Sequence, residues 1–486
     1  MTYDNTVHCK GTILEPRCGM TNPVALTADS LAERARRGPR YTSYPPATEF
    51  VPSFKSADAD THLANLPAGA RISLYCHVPY CRSLCWYCGC NVKISGDRSR
   101  GSAYVDVLRQ ELSLLGQKLP NDAQIVELAL GGGSPNFLLD EDMRRLVESV
   151  RTSFNVADDA DLSTELDPRE TSVELLATLA DLRFSRMSVG VQDFTDAVQK
   201  AIHRYQSVEQ TAYVIDNARR LGFKTVNVDL VYGLPAQTPR SFSETLDAVI
   251  GFSPQQVAMF GYAHLPQRLP HQKLVERGGH MPNSLERAEL LLFATERFER
   301  AGYVQVGIDH FARPDSPLVH AAVSGNLHRN FQGYVVRRAD RLLGCGASAI
   351  SDSGGAYWQN HVDIDTWQRE VEAGKLPVAR GLALSEDDQI RRYVITKLMC
   401  DAELELAEVE RRFGISVRDY FAWELEELSH DDYADLIDLE LDEGWLCATA
   451  LGCQLLRNVC MVFDSYNRPS DNSDPGNGRP SFSPTV

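Results

Sequence analysis

The sequence has no long apolar run and no concentrated run of positive charge. No stretch of eighteen or more apolar residues occurs, which is about the length that a membrane-spanning helix needs. The first twenty residues contain no continuous apolar segment of the signal-peptide kind. Lysine and arginine number 49 against 66 aspartate and glutamate residues, a formal charge of −17. We therefore expect a cytoplasmic protein whose main partner is neither a membrane nor a nucleic acid.

The composition is ordinary for a globular protein with more than one domain. The chain has 486 residues, of which 43% are hydrophobic and 24% are charged, and single hydrophobic cores stop growing well below this length. Of the 12 cysteines, four lie within ten positions. In a large chain without an export signal, such a cluster is more typical of a metal site in a reducing compartment than of a disulfide framework.

Short apolar runs alternate with helical patterns through the middle of the chain. The runs are 72–78, 125–130, 162–166, 187–191, 226–231 and 257–262. One intervening helix is clearly marked, because Ser207 and Gln210 form a capping-box pair and Gly222 ends the apolar periodicity. Six strand–helix units in series predict an α/β fold with a parallel sheet, in the form of a curved or partial barrel.

Polar and glycine residues follow each of these runs. The chemistry of parallel barrels lies at the carboxyl ends of the strands, so such residues are candidates for a site. The cysteine loop follows the first run, and three glycines at 131–133 with Ser134 follow the second. The residues at the other ends are Glu165 and Asp167, Gln192 and Asp193, Asp229, and Ala263 and His264.

The pattern divides the chain into four parts. Residues 1–55 form an N-terminal arm that ends in the proline- and aromatic-rich run RYTSYPPATEF, and residues 56–375 form the barrel with its extension. From about residue 376 to 466 the pattern predicts helices alone, as a smaller α-rich C-terminal domain. Residues 467–486 are rich in Pro, Ser, Asn, Asp and Gly, which predicts a disordered tail.

The cysteine loop predicts an iron–sulfur cluster. Cys81, Cys85 and Cys88 have the spacing C-x3-C-x2-C, and one short loop of thiolates can hold three irons of a cubane while the fourth iron stays open. The alternative is a structural zinc knuckle, but zinc normally takes four closed ligands and no second C-x2-C pair exists. Cys90 is either a fourth ligand or a thiol beside the cluster, and its tight spacing from Cys88 favours the second.

The sequence around this loop, YCHVPYCRSLCWYCGCN, resembles the oxygen-independent coproporphyrinogen III oxidase family of the radical S-adenosylmethionine (SAM) superfamily. The resemblance continues through RYTSYPPATEF, GGGSP, TELDPRE, RMSVGVQDF, NVDLVYGLPAQT, GYAHLP, GIDHFARPD, LHRNFQGY, LLGCGASAIS and LRNVCMVFD. It spans roughly residues 35 to 468 in order. It implies a partial parallel (βα)6 radical-SAM barrel with an N-terminal arm and a smaller α-rich C-terminal domain.

The resemblance also implies a reaction. Two propionate side chains of coproporphyrinogen III would be decarboxylated to vinyl groups, which gives protoporphyrinogen IX for haem synthesis. The expected cofactors are a [4Fe–4S] cluster on Cys81, Cys85 and Cys88 and two SAM molecules, with Cys90 as a catalytic, non-ligating thiol. The expected partners are an electron donor of flavodoxin or ferredoxin type and an electron acceptor, and the enzyme is expected to act as a cytoplasmic monomer.

The residues that match the family's SAM contacts are spread over the strand ends. By this resemblance they are Tyr75, Tyr87, Gly132, Gly133, Ser134, Glu165, Gln192, Arg204, Asp229, Ala263 and Ile350. Glycines allow a ligand to approach the backbone closely, carboxylates accept hydrogen bonds from hydroxyl or ammonium groups, and an arginine pairs with a carboxylate.

The sequence departs from the family at three places. Ala129 and Leu130 stand where the family usually has histidine and tryptophan, Ser134 replaces a threonine, and the segment 444–457 is shorter. These changes concern the fit of the substrate more than the cleavage of SAM. The alternatives are a related haem-trafficking or porphyrin-modifying protein and a non-catalytic iron–sulfur or zinc scaffold. The arm motif at 40–45 and Cys90 favour the oxidase, because trafficking relatives typically lack both.

Overall fold

The computed structural model describes residues 25–468 and 482–486. In order along this part of the chain, the strands are β1 Arg71–Val78, β2 Tyr80–Cys81, β3 Lys93–Ile94, β4 Gln124–Gly132, β5 Val156–Leu166, β6 Arg186–Gln192, β7 Thr225–Tyr232, β8 Gln256–Gly261, β9 Val304–Val306, β10 His310–Ala312, β11 Leu327–Asn330, β12 Gly333–Val336, β13 Arg341–Cys345, β14 Ile350–Asp352, β15 Ala356–Asn360, β16 Val378–Ala383, β17 Glu403–Glu405, β18 Ile437–Glu440 and β19 Trp445–Ala448.

The α-helices of the same residues are α1 Ala28–Glu33, α2 Ser56–Ala64, α3 Ser99–Gly116, α4 Asp140–Ser153, α5 Val173–Asp181, α6 Asp196–Ile202, α7 Val208–Arg220, α8 Pro239–Phe252, α9 Ser284–Arg300, α10 Pro317–Val323, α11 Ile364–Glu372, α12 Glu386–Asp401, α13 Leu406–Phe413, α14 Val417–Tyr420, α15 Ala422–Leu428, α16 Ala450–Gln454 and α17 Leu456–Phe463. Within these ranges no helix is both long enough and apolar enough to cross a bilayer. Short 3-10 helices lie at Ala47–Glu49, Pro135–Phe137 and Pro270–Arg277.

One large sheet organises the molecule. Its order is β16-β15-β14-β13-β1-β4-β5-β6-β7-β8-β10-β9, and all neighbours from β13 to β8 run parallel. The six predicted strands are therefore confirmed as β1, β4, β5, β6, β7 and β8. β5 begins six residues earlier than its apolar run, because its first half carries exposed acidic residues that hide the strand from a hydrophobicity pattern.

The order of the sheet adds a parallel strand that the sequence pattern did not indicate. β13 pairs with β1 on the side opposite β4, and β14, β15 and β16 extend the sheet antiparallel from there. At the other edge β10 and β9 pair antiparallel after β8. The sheet is thus mostly parallel at its centre, and this central part brings the six predicted strand ends to one edge.

The crossover helices cover the sheet through their apolar faces. α4 shows the pattern, since Met143, Leu146, Val147 and Val150 are buried while its first turn carries three acidic residues, which suit the positive end of the helix dipole. The helix predicted after residue 207 is α7, in which the Ser207 side chain accepts the first-turn hydrogen bond. The apolar faces of these helices and of the strands form one continuous hydrophobic core.

The C-terminal region differs from the prediction of helices alone. Residues 378–383 form β16, which is an edge strand of the main sheet. Three more short strands form a separate antiparallel sheet in the order β17-β19-β18, packed with α12 to α17. These strands have only three or four residues, which is too short for an alternating pattern to stand out beside amphipathic helices.

The predicted arm and tail meet in the structure. Arg37 and Pro484 form an antiparallel bridge, and the Thr485 amide donates to the Arg36 carbonyl over 2.8 Å. The prediction of disorder is therefore wrong for residues 482–486, because hydrogen bonds to distant segments hold them although their composition is that of a disordered tail. The rest of the predicted tail from 469 to 481, and the arm before residue 25, lie outside the described residues.

Candidate active site

The cysteine loop lies between β1 and α3 and is held at both ends. β2 and β3 pair parallel to each other, so Tyr80 lies beside Lys93 and Cys81 beside Ile94. The Ser95 amide also donates to the Cys81 carbonyl over 3.0 Å. The segment from Cys81 to Ile94 is therefore a closed loop at the carboxyl end of β1, in the place where the apolar runs predicted a site.

Side chains from distant elements fix the main chain of this loop. His271 bonds the Cys88 carbonyl over 2.8 Å, and Gln272 donates to the Tyr87 carbonyl over 2.9 Å. His203 bonds the Leu84 carbonyl over 3.0 Å. The positions of the cysteines thus depend on the 3-10 helix at Pro270–Arg277 and on the end of α6.

Cys81, Cys85 and Cys88 line one cavity of about 600 Å³. Burial raises the pKa of Cys81 to about 12, whereas the hydrogen bond from Cys90 lowers the pKa of Cys88 to about 7. Arg204 and Arg169 donate to the Cys85 sulfur over 3.5 and 3.6 Å. Three thiols with guanidinium donors beside them fit an iron–sulfur cluster, because bound metal removes the thiol protons that burial would otherwise retain.

The arrangement of these thiols differs from that of a single-ion site. Across the part of the chain that the structure describes, no three His, Cys, Asp or Glu side chains converge on a position for one metal ion. A cubane attaches each thiolate to a different iron, so its ligands lie farther apart than the ligands of a zinc ion. The prediction of a cluster rests on the spacing of the loop and on the lack of a second C-x2-C pair in the sequence.

Most of the residues predicted for SAM line this same cavity. They are Tyr87, Gly132, Gly133, Ser134, Glu165, Gln192, Arg204, Asp229 and Ala263. They come from the loop after β1 and from the ends of β4, β5, β6, β7 and β8, with Arg204 from the segment after α6. The strand-end interpretation thus brings together residues that are more than 170 positions apart.

Tyr75 and Ile350 do not line this cavity. Tyr75 lies within β1, where it pairs with Gly344 of β13 and its hydroxyl bonds His77 Nδ1 over 3.1 Å. The Ile350 carbonyl of β14 is 2.6 Å from the position that a Cβ on Gly344 would take. The two residues therefore flank Gly344 of β13, and the Tyr75 hydroxyl points to the His77 ring, which packs against Gly132 of the cavity wall.

The glycines after β4 are required by neighbouring protein atoms. Gly132 has φ +113°, and a Cβ there would lie 2.5 Å from the His77 ring. A Cβ on Gly133 would lie 2.7 Å from the Tyr80 carbonyl oxygen, and one on Gly131 would lie 2.8 Å from the Glu165 carboxylate. Close packing between β1, β4 and β5 thus explains glycine at all three positions, while the backbone at Gly132 and Gly133 still borders the cavity.

Two carboxyl groups face the cavity with raised pKa values. Burial and the neighbouring Asp229 raise the pKa of Glu165 to about 7, although the Gly132 amide donates to it. Burial also raises the pKa of Asp229, which accepts hydrogen bonds of 2.7 Å from Ser188 and from Asn227. Glu165 therefore keeps part of its protons near neutral pH, and both groups retain lone pairs for a ligand.

Arg204 already has a carboxylate partner within the protein. Its guanidinium lies 3.3 Å from Asp167 and donates to the Gly190 carbonyl over 2.6 Å. Arg169 binds the same carboxylate over 2.6 Å. Burial opposes ionisation of Asp167, but Arg204 and Arg169 lower its pKa to about 2. The carboxylate pairing predicted for Arg204 is therefore met inside the chain, and both arginines point their remaining donors toward Cys85.

Several residues of the cavity were not predicted as site residues. Arg169 follows β5 by three positions, so the strand-end rule was sufficient to find it. Gln272 and Arg268 line the cavity from the segment after β8, and Arg40 reaches it from the arm. Arg40 lies more than 30 residues before β1 in an irregular segment, and no local pattern marks its side chain as part of a site.

A second cavity of about 530 Å³ adjoins the first and is lined by residues of the central strands β4 to β8. Both cavities share Arg40, Cys90, Glu165, Ser188, Asp229 and Phe260. Ala129 and Leu130 line the second cavity, so the departure from the usual histidine and tryptophan lies at its wall. A small Ala129 leaves space there that a larger side chain would fill.

Comparisons with known proteins agree with this geometry. The radical SAM superfamily matches residues 75–249, and the HemN C-terminal domain matches residues 384–455. Oxygen-independent coproporphyrinogen III oxidase of Pseudomonas aeruginosa is 40% identical over 453 residues, which cover 92% of this chain and 97% of the relative. The enzyme of that name from Escherichia coli K12 is 39% identical over 433 residues, covering 89% and 93%.

The chain belongs to the oxygen-independent coproporphyrinogen III oxidase family. A solved structure of coproporphyrinogen III oxidase (HemN) from Escherichia coli, described as a radical SAM enzyme, superposes with a TM-score of 0.84. It is 38% identical, and the match covers 88% of this chain and 97% of that chain. The radical SAM match contains the second half of β1, the cysteine loop and the ends of β4 to β7, and the C-terminal match contains the small sheet and helices α12 to α16.

Proposed function

We propose that this protein is an enzyme that decarboxylates two propionate side chains of coproporphyrinogen III to vinyl groups, giving protoporphyrinogen IX in haem synthesis without oxygen. The supporting observation is the first cavity, which is lined by three cysteines of one loop and by polar residues at the ends of five neighbouring strands. When bound there, a [4Fe–4S] cluster and SAM supply a radical that removes hydrogen from the propionate.

Each group of residues has a role in this proposal. Cys81, Cys85 and Cys88 hold the cluster and leave one iron open for SAM. Glu165 and Asp229 accept hydrogen bonds from SAM, and the wall formed by Tyr87 and its neighbours keeps water away from the reacting carbon. Cys90 stays free of the cluster.

We further propose two bound SAM molecules, a cytoplasmic location and a monomeric enzyme that needs neither a membrane nor a nucleic acid. An electron donor of flavodoxin or ferredoxin type reduces the cluster, and a separate acceptor takes the electron left on the substrate after carbon dioxide departs. Tyr75 and Ile350 remain proposed SAM contacts, although they are not among the residues that line the cavity.

The test is an anaerobic assay of the reconstituted protein with coproporphyrinogen III, SAM and a reductant. We expect protoporphyrinogen IX, carbon dioxide and 5′-deoxyadenosine, all lost in Cys81→Ala, Cys85→Ala and Cys88→Ala. Cleavage of SAM without carbon dioxide would point instead to a haem-trafficking or porphyrin-modifying relative. A protein that holds zinc, or holds a cluster but does not cleave SAM, would be a scaffold.

A further inference from the structure

Arg40 stands where the two cavities meet. Its side chain lines both of them, together with Cys90, Glu165 and Asp229. It is half-buried, and the exposed part faces these cavities. A substrate that extends from the cysteine loop into the second cavity therefore passes the Arg40 guanidinium.

The other cavity arginines differ from Arg40 in their partners. Arg169 and Arg204 share Asp167, Arg186 pairs with Asp161 over 2.6 Å, and Arg329 pairs with Asp309 over 3.0 Å. Within the described residues, the cavity arginines without a carboxylate partner are Arg40 and Arg268. Arg268 is exposed at the rim of the first cavity, which leaves Arg40 as the unpaired cation at the junction.

Arg40 keeps most of its donors free. Its Nη2 donates to the Gly261 carbonyl over 2.8 Å, and in the described part of the chain its Nε and Nη1 have no acceptor. A guanidinium has five N–H donors in a planar fork that matches a carboxylate. Burial lowers the pKa of Arg40; the charge of Asp309, which is paired with Arg329, opposes this shift, and the positive charges of Arg329 and Arg287 add to it. A bound anion would offset both the cost of burying the Arg40 charge and its repulsion by the neighbouring arginines.

The protein uses other charged side chains to fix the main chain around Arg40. Arg457 donates to the Pro39 carbonyl over 2.9 Å, and Arg329 donates to the Arg40 carbonyl over 3.3 Å. The next residue, Tyr41, has φ +48° and bonds Asp464 over 3.0 Å. The backbone is thus held on both sides in a conformation that L residues rarely adopt, while the side chain between them remains available.

We propose that Arg40 is a specificity-determining residue that binds a propionate carboxylate of the substrate at the junction of the two cavities. This inference rests on the proposed function, because coproporphyrinogen III carries four propionates and few neutral groups that an arginine would recognise. Because the pKa of Glu165 is raised to about 7, partial protonation of this acid reduces its repulsion of such a carboxylate.

The test measures binding to the full-length, cluster-reconstituted protein without reductant, so that no turnover occurs. The probes are coproporphyrin III and its tetramethyl ester, which lacks the carboxylates. We expect Arg40→Gln to raise the Kd for coproporphyrin III by about tenfold to a hundredfold, to leave the Kd for the ester unchanged, and to raise KM in turnover. Arg40→Lys should retain part of the affinity. The control is Arg37→Gln, which removes the same charge from an exposed position of the arm.

Each outcome separates the inference from the proposed function. If the unaltered protein neither binds coproporphyrin III nor releases carbon dioxide, the proposed function fails. If it does both and Arg40→Gln does so equally well, the role of Arg40 is wrong. A rise in the Kd for SAM alone would assign Arg40 to the SAM carboxylate instead. If Arg40→Gln weakens the binding of coproporphyrin III and of its ester equally, Arg40 has a structural role. If Arg40→Gln loses its cluster, the Kd values of Arg40→Lys for coproporphyrin III and for the ester are compared instead.

Discussion

Cys90 is set apart from the other loop cysteines by its surroundings. Its side chain is exposed to the cavity, and its amide donates to the Cys88 sulfur over 3.4 Å. It also borders the second cavity, which the three proposed cluster ligands do not. Its position suits a thiol that faces the substrate more than one that holds an iron.

We predict that Cys90→Ser retains the cluster and loses most of the turnover. Serine keeps the size and the amide contact but removes the thiol. Iron and sulfide content, with the absorbance of the anaerobic protein, measures the first expectation, and the rate of carbon dioxide release measures the second. Cys85→Ala is the matched control, because it should lose the cluster itself. A Cys90→Ser protein without iron would show that Cys90 is a ligand.

Glu111 is a buried acid away from the cavity. Its carboxylate accepts hydrogen bonds from the Gly346 amide over 2.7 Å, from Trp367 over 2.8 Å and from Asn360 over 2.6 Å. Burial raises its pKa to about 7 in spite of these three donors. Glu111 thereby joins α3 to the residue after β13, to the end of β15 and to α11.

The raised pKa of Glu111 gives a pH dependence with a definite sign. An acid whose pKa is higher in the folded state binds its proton more tightly there, so its stabilising effect is complete below about pH 4.5 and is lost as the pH rises through about 7. We predict that Glu111→Gln lowers the free energy of unfolding by about 1–3 kcal/mol, because the new amide faces a donor. The free energy of unfolding, measured with denaturant from pH 5 to 8, should fall less steeply with pH in this variant than in the unaltered protein. Parallel curves would contradict the prediction.

At the scale of elements, α7 begins differently from its sequence pattern. The Ser207 hydroxyl accepts from the Gln210 amide over 3.1 Å, as predicted. The Gln210 side chain does not return to Ser207 and donates instead to the Arg169 carbonyl over 3.4 Å. The capping box is therefore only half formed, because the Gln210 side chain turns to the Arg169 carbonyl and does not accept from the Ser207 amide.

We predict that Ser207→Ala destabilises the first turn of α7 by about 1 kcal/mol. Hydrogen–deuterium exchange of the α7 amides should become about fivefold faster. Gln210→Ala is the control and should change this exchange much less, since its side chain caps no helical amide. Equal effects from both variants would mean that the full capping box forms in solution.

At the scale of the whole molecule, Arg457 joins both ends of the described chain. From α17 it donates to the carbonyls of Gly38 and Pro39 in the arm and to those of Ser483 and Pro484. Four main-chain acceptors around one buried guanidinium hold the arm on the C-terminal domain. The arm in turn carries Arg40 to the cavity, so the site depends on residues far from the sheet.

We predict that Arg457→Met releases the arm. The four carbonyls would lose their donor, which costs several times a single buried hydrogen bond. Limited trypsin digestion should cleave after Arg36 and Arg37 at least about fivefold faster than in the unaltered protein. Arg418→Met is the control, because Arg418 lies on the surface and contacts Leu441 and Asp442. Unchanged cleavage in Arg457→Met would show that other contacts hold the arm.

Local patterns in the sequence were sufficient for the central strands and for most of the cavity. Strands and helices arise from apolar periodicity within one segment, and parallel strands place their carboxyl ends at one edge. These two rules predicted that Gly132, Glu165 and Asp229, which lie at the ends of three apolar runs, would share a cavity, as they do. They failed for β17, β18 and β19, where three or four residues leave no period to detect.

The sequence by itself determined the parallel sheet and the grouping of the strand-end residues with the cysteine loop, because each depends on spacing within a short stretch of chain. Only the tertiary structure decided that Arg204 is already paired with Asp167, that Tyr75 and Ile350 do not line the cavity, and that Arg40 reaches the junction of the cavities. Each of these contacts joins segments distant along the chain, and a side chain's partner across such a distance is set by packing of the whole molecule rather than by its neighbours in sequence.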